Sequence, residues 1–355
     1  MAKARATIAD VAREAGVSKG LVSFALNDRP GVSAHTRDRI LAVAKDLGWS
    51  PSVRARSLSS DRAFALGVVI ARNPEILSSD PFFPALIAGI ETALAPVGQA
   101  LVLSMVGDAD AETASYRQLA AHGRVDGVII TDLRLNDPRL ALVEELGLAA
   151  VTLGRPDIPS PFPSVNLDDA PGIRDAVRHL ADLGHVRIAH VAGPATMLHG
   201  ARRREAFDAA LRELGLDAGP DGCLVIETDF SAADGARATR ELLALPERPT
   251  AIVYSNDPMA IAGMGVAQRD GLRVPEDLSV TGFDDSDVGR HINPSLTTVS
   301  TAAQVWGEAA ATALLRVVSG EQIDHIELSP ALLVVRESTG PRPGTTTRPP
   351  EPGTT

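Results

Sequence analysis

Apolar and polar positions alternate with two different periods along this chain, and the change of period divides it. In the first fifty residues the period is helical. Thr7 precedes Ile8, Val11, Ala12 and Ala15, an N-cap followed by one apolar face. Gly16 follows, where a tight turn can use a positive φ, and Ser18 caps a second helix over about 19–26 whose Val22, Ala25 and Leu26 face inward. A third helix begins after Ser33, carries Ile40, Leu41, Ala44 and Leu47, and stops at Gly48. Helix, three-residue turn, helix, with a third helix behind, predicts a helix-turn-helix head whose second helix enters a major groove. Residues 49–62, WSPSVRARSLSSDR, read as a short basic linker with a helix-compatible centre and one conspicuous apolar residue, Leu58.

From Phe64 onward, strand-length apolar runs alternate with amphipathic stretches. ALGVVIA (65–71), ALVLSMV (100–106), GVIIT (127–131) and AAVTLG (149–154) are continuously apolar, as strands covered on both faces are. Helical patterns span about 83–94 and 113–122 between them. A second set follows: RIAHVAG (187–193), GCLVIET (222–228), TAIVYSN (250–256) and DLSVTGF (277–283), with helices over about 172–183, 202–214, 231–245 and 259–270. Two series of βα repeats predict two doubly wound parallel-sheet lobes, with a cleft at the carboxyl ends of their strands. The last eighteen residues, STGPRPGTTTRPPEPGTT, contain six Thr, five Pro and three Gly and no aliphatic residue, a composition that predicts disorder. They show no apolar heptads, so nothing in them supports a coiled-coil tetramer.

Charge sharpens this division. The 355-residue chain has 34 Lys+Arg against 45 Asp+Glu, a net charge of −11, which taken whole argues against a polyanionic partner. Yet residues 1–62 hold eleven basic and six acidic side chains, a local charge of +5, and the remainder carries −16. A basic head on an acidic body is the asymmetry of a small module that meets nucleic acid. The single cysteine, Cys223, excludes an intramolecular disulfide and reads as a small buried hydrophobe. No apolar run is long enough to span a membrane, and the N-terminus lacks a signal-peptide core, so a cytoplasmic location is expected.

Chemistry-bearing residues gather at the ends of the predicted strands. Phe82 and Phe83 follow the first strand, where aromatic faces can stack on a sugar or staple the next helix. GPATMLHGARRREAF runs a Gly-Pro loop into a helix crowded by Arg202, Arg203 and Arg204, most of them on solvated surface. Asn256 and Asp257 end one strand and Asp284 and Asp285 another. Asp257, before Pro258, looks like a helix cap. Adjacent strand residues point to opposite faces, so Asp284 and Asp285 cannot flank one bond as glycosidase carboxylates do. No phosphate loop or dinucleotide fingerprint occurs, and the eight histidines show no metal-ligand spacing. The expectation is therefore no catalytic constellation, no metal and no cofactor.

TIADVAREAGVSKGLVSFALN, then VSAHTRDRI, then SPSVRARSL, resembles the lactose-repressor/galactose-repressor family of bacterial transcription factors, and the resemblance runs to about Gly340. It implies a helix-turn-helix domain over 1–50, a hinge over 51–63, and a two-lobe effector-binding and dimerisation domain over 64–340, followed by a tail over 341–355. The body resembles periplasmic sugar-binding proteins, with lobe 1 over about 64–167 and 296–328 and lobe 2 over about 168–295 and 329–340. The partners implied are double-stranded operator DNA, a second copy of the chain and a small effector, a sugar by preference. Thr7, Ser18, Lys19, Gly20, Ser23, Phe24 and Asn27 lie at or near the major groove under this resemblance. Arg54 and Arg56 contact backbone, and Ala55 and Leu58 enter the minor groove, where paired Leu58 side chains wedge a central base step of a near-palindromic site. Phe82, Phe83, Asp168, Arg203, Phe230, Asn256 and Asp284 form the effector site. Two departures bear on the operator sequence: Phe24 stands after Ser23 where the family often has Arg, and Ser52 follows Pro51 where it has Asn. A solute-binding protein shares this body but is exported and has no use for a basic head. A sugar-modifying enzyme needs a catalytic set that is missing here.

Overall fold

Three helices, α1 (Ile8–Glu14), α2 (Lys19–Leu26) and α3 (Ala34–Asp46), build the head. The structure is a computed structural model that describes residues 6–26, 30–49, 62–72, 76, 80–216 and 224–344. Asn27, Pro51, Ser52, Arg54, Ala55, Arg56, Leu58, Cys223 and the tail over 345–355 lie outside the described residues. The chain divides into two units at Phe64.

In the head, Thr7 and Asp10 close the start of α1. The Thr7 N–H donates to Asp10 Oδ2 at 2.9 Å and its hydroxyl to the same oxygen at 2.7 Å. Gly16 turns the chain with φ +63°, a value that favours glycine, and Ser18 Oγ accepts from the Leu21 N–H at 3.1 Å to cap α2. Val11, Val22 and Ile40 are fully buried where the three helices meet, with Ala12, Ala15, Ala25 and Ala44 around them. Small residues at these positions let three short helices share one core.

The body begins with β1 (Ala65–Ala71), α4 (Phe82–Leu94), β2 (Ala100–Val106), α5 (Ala109–Ala121), β3 (Gly127–Ile130), α6 (Arg139–Glu145), β4 (Ala149–Leu153) and β5 (Ser164–Asn166). It continues with α7 (Ala170–Asp182), β6 (Ile188–Ala192), α8 (Leu198–Glu213), β7 (Val225–Glu227), α9 (Ala232–Leu243), β8 (Ala251–Tyr254), α10 (Asp257–Arg269), β9 (Ser279–Thr281) and α11 (Asp287–His291). The last elements are β10 (Thr298–Ser300), α12 (Ala303–Val318), β11 (Ile326–Glu327) and β12 (Leu332–Val334).

One parallel sheet has the order β11-β5-β4-β3-β1-β2, the other β7-β6-β8-β9, and β10 pairs antiparallel with β12. Each parallel sheet reverses its strand order beside its first strand, between β1 and β3 and between β6 and β8. Ligands bind beyond the carboxyl ends of the strands at such a switch point. The body is therefore two doubly wound lobes, and α12 returns to the first of them, packing its Ala310, Ala311 and Leu314 with Leu86 and Ile90 of α4.

Several local expectations need correction. Helices α5, α8 and α10 begin two to four residues earlier than the periodicity indicated, at Ala109, Leu198 and Asp257. The caps set two of these starts. Asp108 accepts from the Ala111 N–H at 2.8 Å, and Asn256, not Asp257, accepts from the Met259 N–H at 3.0 Å. The eighteen-residue terminal segment is not uniformly without structure. The Ser338 hydroxyl donates to the Val280 carbonyl at 2.6 Å, Gly340 N–H to Ser279 Oγ at 3.0 Å, and Arg342 N–H to the Leu183 carbonyl at 2.9 Å. Polar groups dock that stretch, which is why its lack of aliphatic residues misled.

Candidate functional site

Within the head, α2 shows a buried face of Val22 and Ala25 and an outer face with Lys19, Gly20 and Phe24 exposed and Ser23 half-buried. Gly20, Ser23 and Phe24 follow i, i+3, i+4 spacing, so they share one side of the helix. Phe24 is 41% exposed, unusual for a ring with a core within reach. Ser18 and Thr7 spend their side chains on caps, and both remain exposed at the N-terminal ends of their helices. Such ends attract phosphate.

In the body, a cleft of about 210 Å³ lies at the carboxyl ends of the strands and is lined from both lobes. The first lobe contributes Arg72 after β1, Asp80 and Phe82 at the start of α4, and Thr131 and Asp132 after β3. From the second come His199, Arg202 and Arg203 of α8, Phe230 after β7, Asn256 after β8 and Asp284 after β9. Arg155, Asp168, Asp169 and Trp306 also line it.

The floor is held by ion pairs. Arg72 donates to both carboxylate oxygens of Asp132, at 2.6 and 2.9 Å, a two-pronged pair. The Arg72 guanidinium also lies 5.1 Å from the Phe230 ring centre and 5.5 Å from that of Phe83. Burial alone would push the Asp132 carboxyl up, but Arg72 overcomes it and holds the group down to about 2. Arg203 is fixed from three sides. Its Nε donates to Asp169 Oδ2 at 2.7 Å, one terminal nitrogen donates to the Ser255 carbonyl at 2.7 Å, and the Phe283 ring lies 3.6 Å beneath. Asp169 Oδ1 is buried beside it without a hydrogen-bond partner.

Aromatic rings close two sides. Phe230 stacks on His199, with centres 5.2 Å apart and planes at 19°. Phe82 meets Trp306 edge-on at 6.1 Å, and the indole N–H donates to the Val165 carbonyl at 2.7 Å. Burial, with Arg203 adding to it, pushes the His199 imidazole down to about 3, so the ring is neutral at pH 7 and offers one donor and one acceptor. Burial pushes Asp284 well above the usual carboxylate range. Arg203 opposes this, while Asp80 and Asp257 reinforce it. Asp132, Phe230 and Asp284 all have positive φ, at +51°, +72° and +108°. Such conformations cost of order 1–3 kcal/mol each and gather where a site must be aimed.

Of the residues the sequence proposed for this cleft, Phe82, Asp168, Arg203, Phe230, Asn256 and Asp284 line it together. Phe83 does not. It is 1% exposed in the first-lobe core, packed beneath Arg72. Asp168 is present, but its Oδ1 accepts from the Ala170 N–H at 3.0 Å, and its neighbour Asp169 takes Arg203. Asp284 and Asp285 diverge because both occupy a left-handed turn beyond β9, not because they alternate along a strand. Asp285 faces away and pairs with Arg290 and Arg336. Arg202 is half-exposed at the cleft, which it lines, and donates to the Arg155 carbonyl at 2.7 Å. Sequence reasoning missed Arg72, Asp80, Asp132, His199 and Trp306. The one available signal was their position just after strands or at helix starts. Among the described residues, no group of three His, Cys, Asp or Glu side chains is placed to hold a metal ion.

A helix-turn-helix head on a two-lobe body with a ligand cleft defines the class: DNA-binding regulators with a periplasmic-binding-protein-like sensor. Residues 7–52 match the bacterial regulatory proteins of the lacI family, and residues 177–339 match the periplasmic binding protein-like domain. The HTH-type transcriptional regulator CelR of Thermobifida fusca is 34% identical over 337 residues, covering 94% of this chain and 98% of CelR. The HTH-type transcriptional repressor CytR of Escherichia coli K12 is 32% identical, covering 94% and 96%. Two solved structures extend the comparison. A CelR–cellobiose complex has TM-score 0.72 at 33% identity, covering 94% of this chain and all of that one. The lac repressor dimer bound to operator and the anti-inducer ONPF has TM-score 0.80 at 30% identity, covering 94% and 99%. The chain belongs to the lacI family and is a helix-turn-helix DNA-binding transcriptional regulator.

Proposed function

We propose that this regulator is a sugar-responsive repressor that binds a near-palindromic operator as a homodimer in the cytoplasm and catalyses no reaction. The observation that carries the reading is the cleft, where Asp284, Asn256 and the neutral His199 line a cavity walled by Phe82, Phe230 and Trp306. Aromatic faces for C–H surfaces beside acceptors for hydroxyls are what a polyhydroxylated ring requires. CelR, a relative of similar length, has been solved with cellobiose, which supports a carbohydrate here. Carbohydrate-utilisation genes are then the targets.

Lys19, Gly20, Ser23, Phe24 and Asn27 read the major groove, with Thr7 and Ser18 on phosphates. Gly20 admits close backbone approach, and Phe24 presents an apolar surface suited to a thymine methyl. Arg54 and Arg56 hold backbone while Ala55 and Leu58 enter the minor groove. Phe82, Asp168, Arg203, Phe230, Asn256 and Asp284 hold the effector. Effector and operator are linked through the angle between the lobes, so each changes the other's affinity by the same factor.

A mobility-shift titration of the full chain on DNA upstream of its own gene tests the reading. Specific retention that a neutral sugar alters supports it; retention indifferent to every sugar contradicts it. Leu58→Ala is expected to lower operator affinity and abolish bending, and unchanged bending would remove the wedge.

A further inference from the structure

The start of α8 is capped from the other lobe. The first amides of a helix have no partner within it, and α5, α9 and α10 meet that need with the side chains of Asp108, Ser231 and Asn256. Helix α8 has Met197 at that place, which makes no such bond. Its Leu198 N–H donates instead to the Leu133 carbonyl of the first lobe at 2.8 Å, and the Leu135 N–H donates back to the Thr196 carbonyl at 3.0 Å. The two bonds flank an antiparallel bridge between Arg134 and Met197. The Leu198 side chain follows them. It is 4% exposed and sits in the first-lobe core with Leu133, Leu140 and Phe162, among the described residues the one buried member of that cluster from the second lobe.

The first-lobe rim is stiffened where it receives this peg. Buried Arg139 donates to the Asp132 carbonyl at 2.9 Å, to Asp137 Oδ2 at 2.6 Å and to Glu112 at 2.9 Å, and Glu112 also pairs with Arg134 at 2.7 Å. In the same turn the Arg134 N–H donates to Asp137 at 3.0 Å and the Asn136 N–H to Asp157 at 3.0 Å. Three successive amides thus divide. Those of Arg134 and Asn136 bond within the first lobe, and that of Leu135, between them, bonds to the second.

We propose that residues 133–135 and 196–198 form a latch between the lobes, with Leu198 as its peg, that holds the cleft closed by the fold's own contacts and thereby biases operator affinity. The second half of the proposal rests on the link between lobe angle and operator given above. Parting the two rims exposes the Leu198 side chain and strips the first amide of α8 of its acceptor, so the closed arrangement is favoured by burial and by hydrogen bonding together. His199 is the next residue along and stacks on Phe230 in the cleft wall, so the latch also fixes where that ring stands.

The test is amide hydrogen exchange, resolved to single residues, on the full chain with no sugar added, beside fluorescence anisotropy on its upstream DNA. In the unmodified protein the Leu135 and Leu198 amides are expected to exchange at least about tenfold more slowly than free peptide. Leu198→Ala keeps the N–H and removes the peg. It is expected to speed exchange at Leu135 at least about tenfold while Arg134 and Asn136 keep their rates, and Leu198→Met is expected to restore the slow rate. Leu198→Val, a smaller cut, serves if Leu198→Ala does not fold. Operator affinity is expected to change at least about fivefold with the peg removed. Leu135 and Leu198 amides that exchange as free peptide in the unmodified protein overturn the latch without any variant. So does a Leu198→Ala chain in which Leu135 is unchanged, or in which Arg134 and Asn136 speed up with it, the mark of a loop that has only lost its packing. Faster exchange confined to Leu135 with operator affinity unchanged leaves the latch standing, and overturns its effect on the operator together with the link between lobe angle and operator.

Discussion

Asp257 and His190 are buried titratable groups, and they pull stability in opposite directions with pH. Asp257 lies fully buried at the start of α10, where it accepts from the Thr298 hydroxyl at 2.6 Å and the Ser286 N–H at 2.7 Å. It thereby ties the turn that carries Asp284 to β10. Burial pushes its carboxyl up to about 6, so its contribution to stability is full below pH 4 and is lost as pH rises toward 6. His190, also fully buried and stacked on Phe207 at 4.7 Å, is pushed down to about 4 by burial. Its contribution is full above pH 6.5 and is lost as pH falls toward 4, about 3 kcal/mol in the limit. His190→Gln is therefore expected to flatten the fall of Tm between pH 6.5 and 4.5, whatever it does to Tm at pH 7. Asp257→Ala leaves the Thr298 hydroxyl and Ser286 N–H unsatisfied and is expected to cost about 2–4 kcal/mol, with weaker effector binding as the Asp284 turn loosens. Calorimetric unfolding and ligand titration check the two effects. Phe230, Asn256 and Asp284 stand just after strands and Arg203 within α8, and it was the family resemblance that pointed to these four, all of which line the cleft. The Arg72–Asp132 pair was not legible, since its members are 60 residues apart and meet only when β1 and β3 lie side by side.

Helix α4 and helix α12 cross so closely that glycines are required at the contact. A Cβ on Gly89 would overlap the Gln304 carbonyl oxygen, and one on Gly307 the Leu86 carbonyl oxygen. Backbone meets backbone here, so neither neighbour can swing away. Gly307→Ala is expected to cost at least about 3 kcal/mol, the upper end for overpacking, and to lower Tm by several degrees in thermal unfolding. The element matters for function as well as stability, because α4 starts with Phe82 and α12 carries Trp306, both in the cleft wall. The long strands were legible from continuous apolar runs. Strands β5, β10, β11 and β12 were not, because runs of only two or three residues are too short to show a period. Helix starts were misjudged where the cap is a polar residue ahead of the apolar face, as at Asp108 and Asn256.

For the whole molecule, the head's charge of +5 against −16 for the rest makes DNA contact a local affair. Operator affinity is expected to fall steeply with salt, by at least about tenfold between 50 and 200 mM, and a flat dependence would count against phosphate-led binding. The central claim is that occupation of the cleft and occupation of the operator are linked. Fluorescence anisotropy of the full chain on its own upstream DNA, with and without a neutral sugar that calorimetry shows to bind, measures that link directly. The account predicts a change in operator affinity of at least about fivefold, matched by an equal change in sugar affinity when DNA is present, and loss of both in Arg203→Ala. Operator affinity unchanged by a sugar at saturation would contradict it.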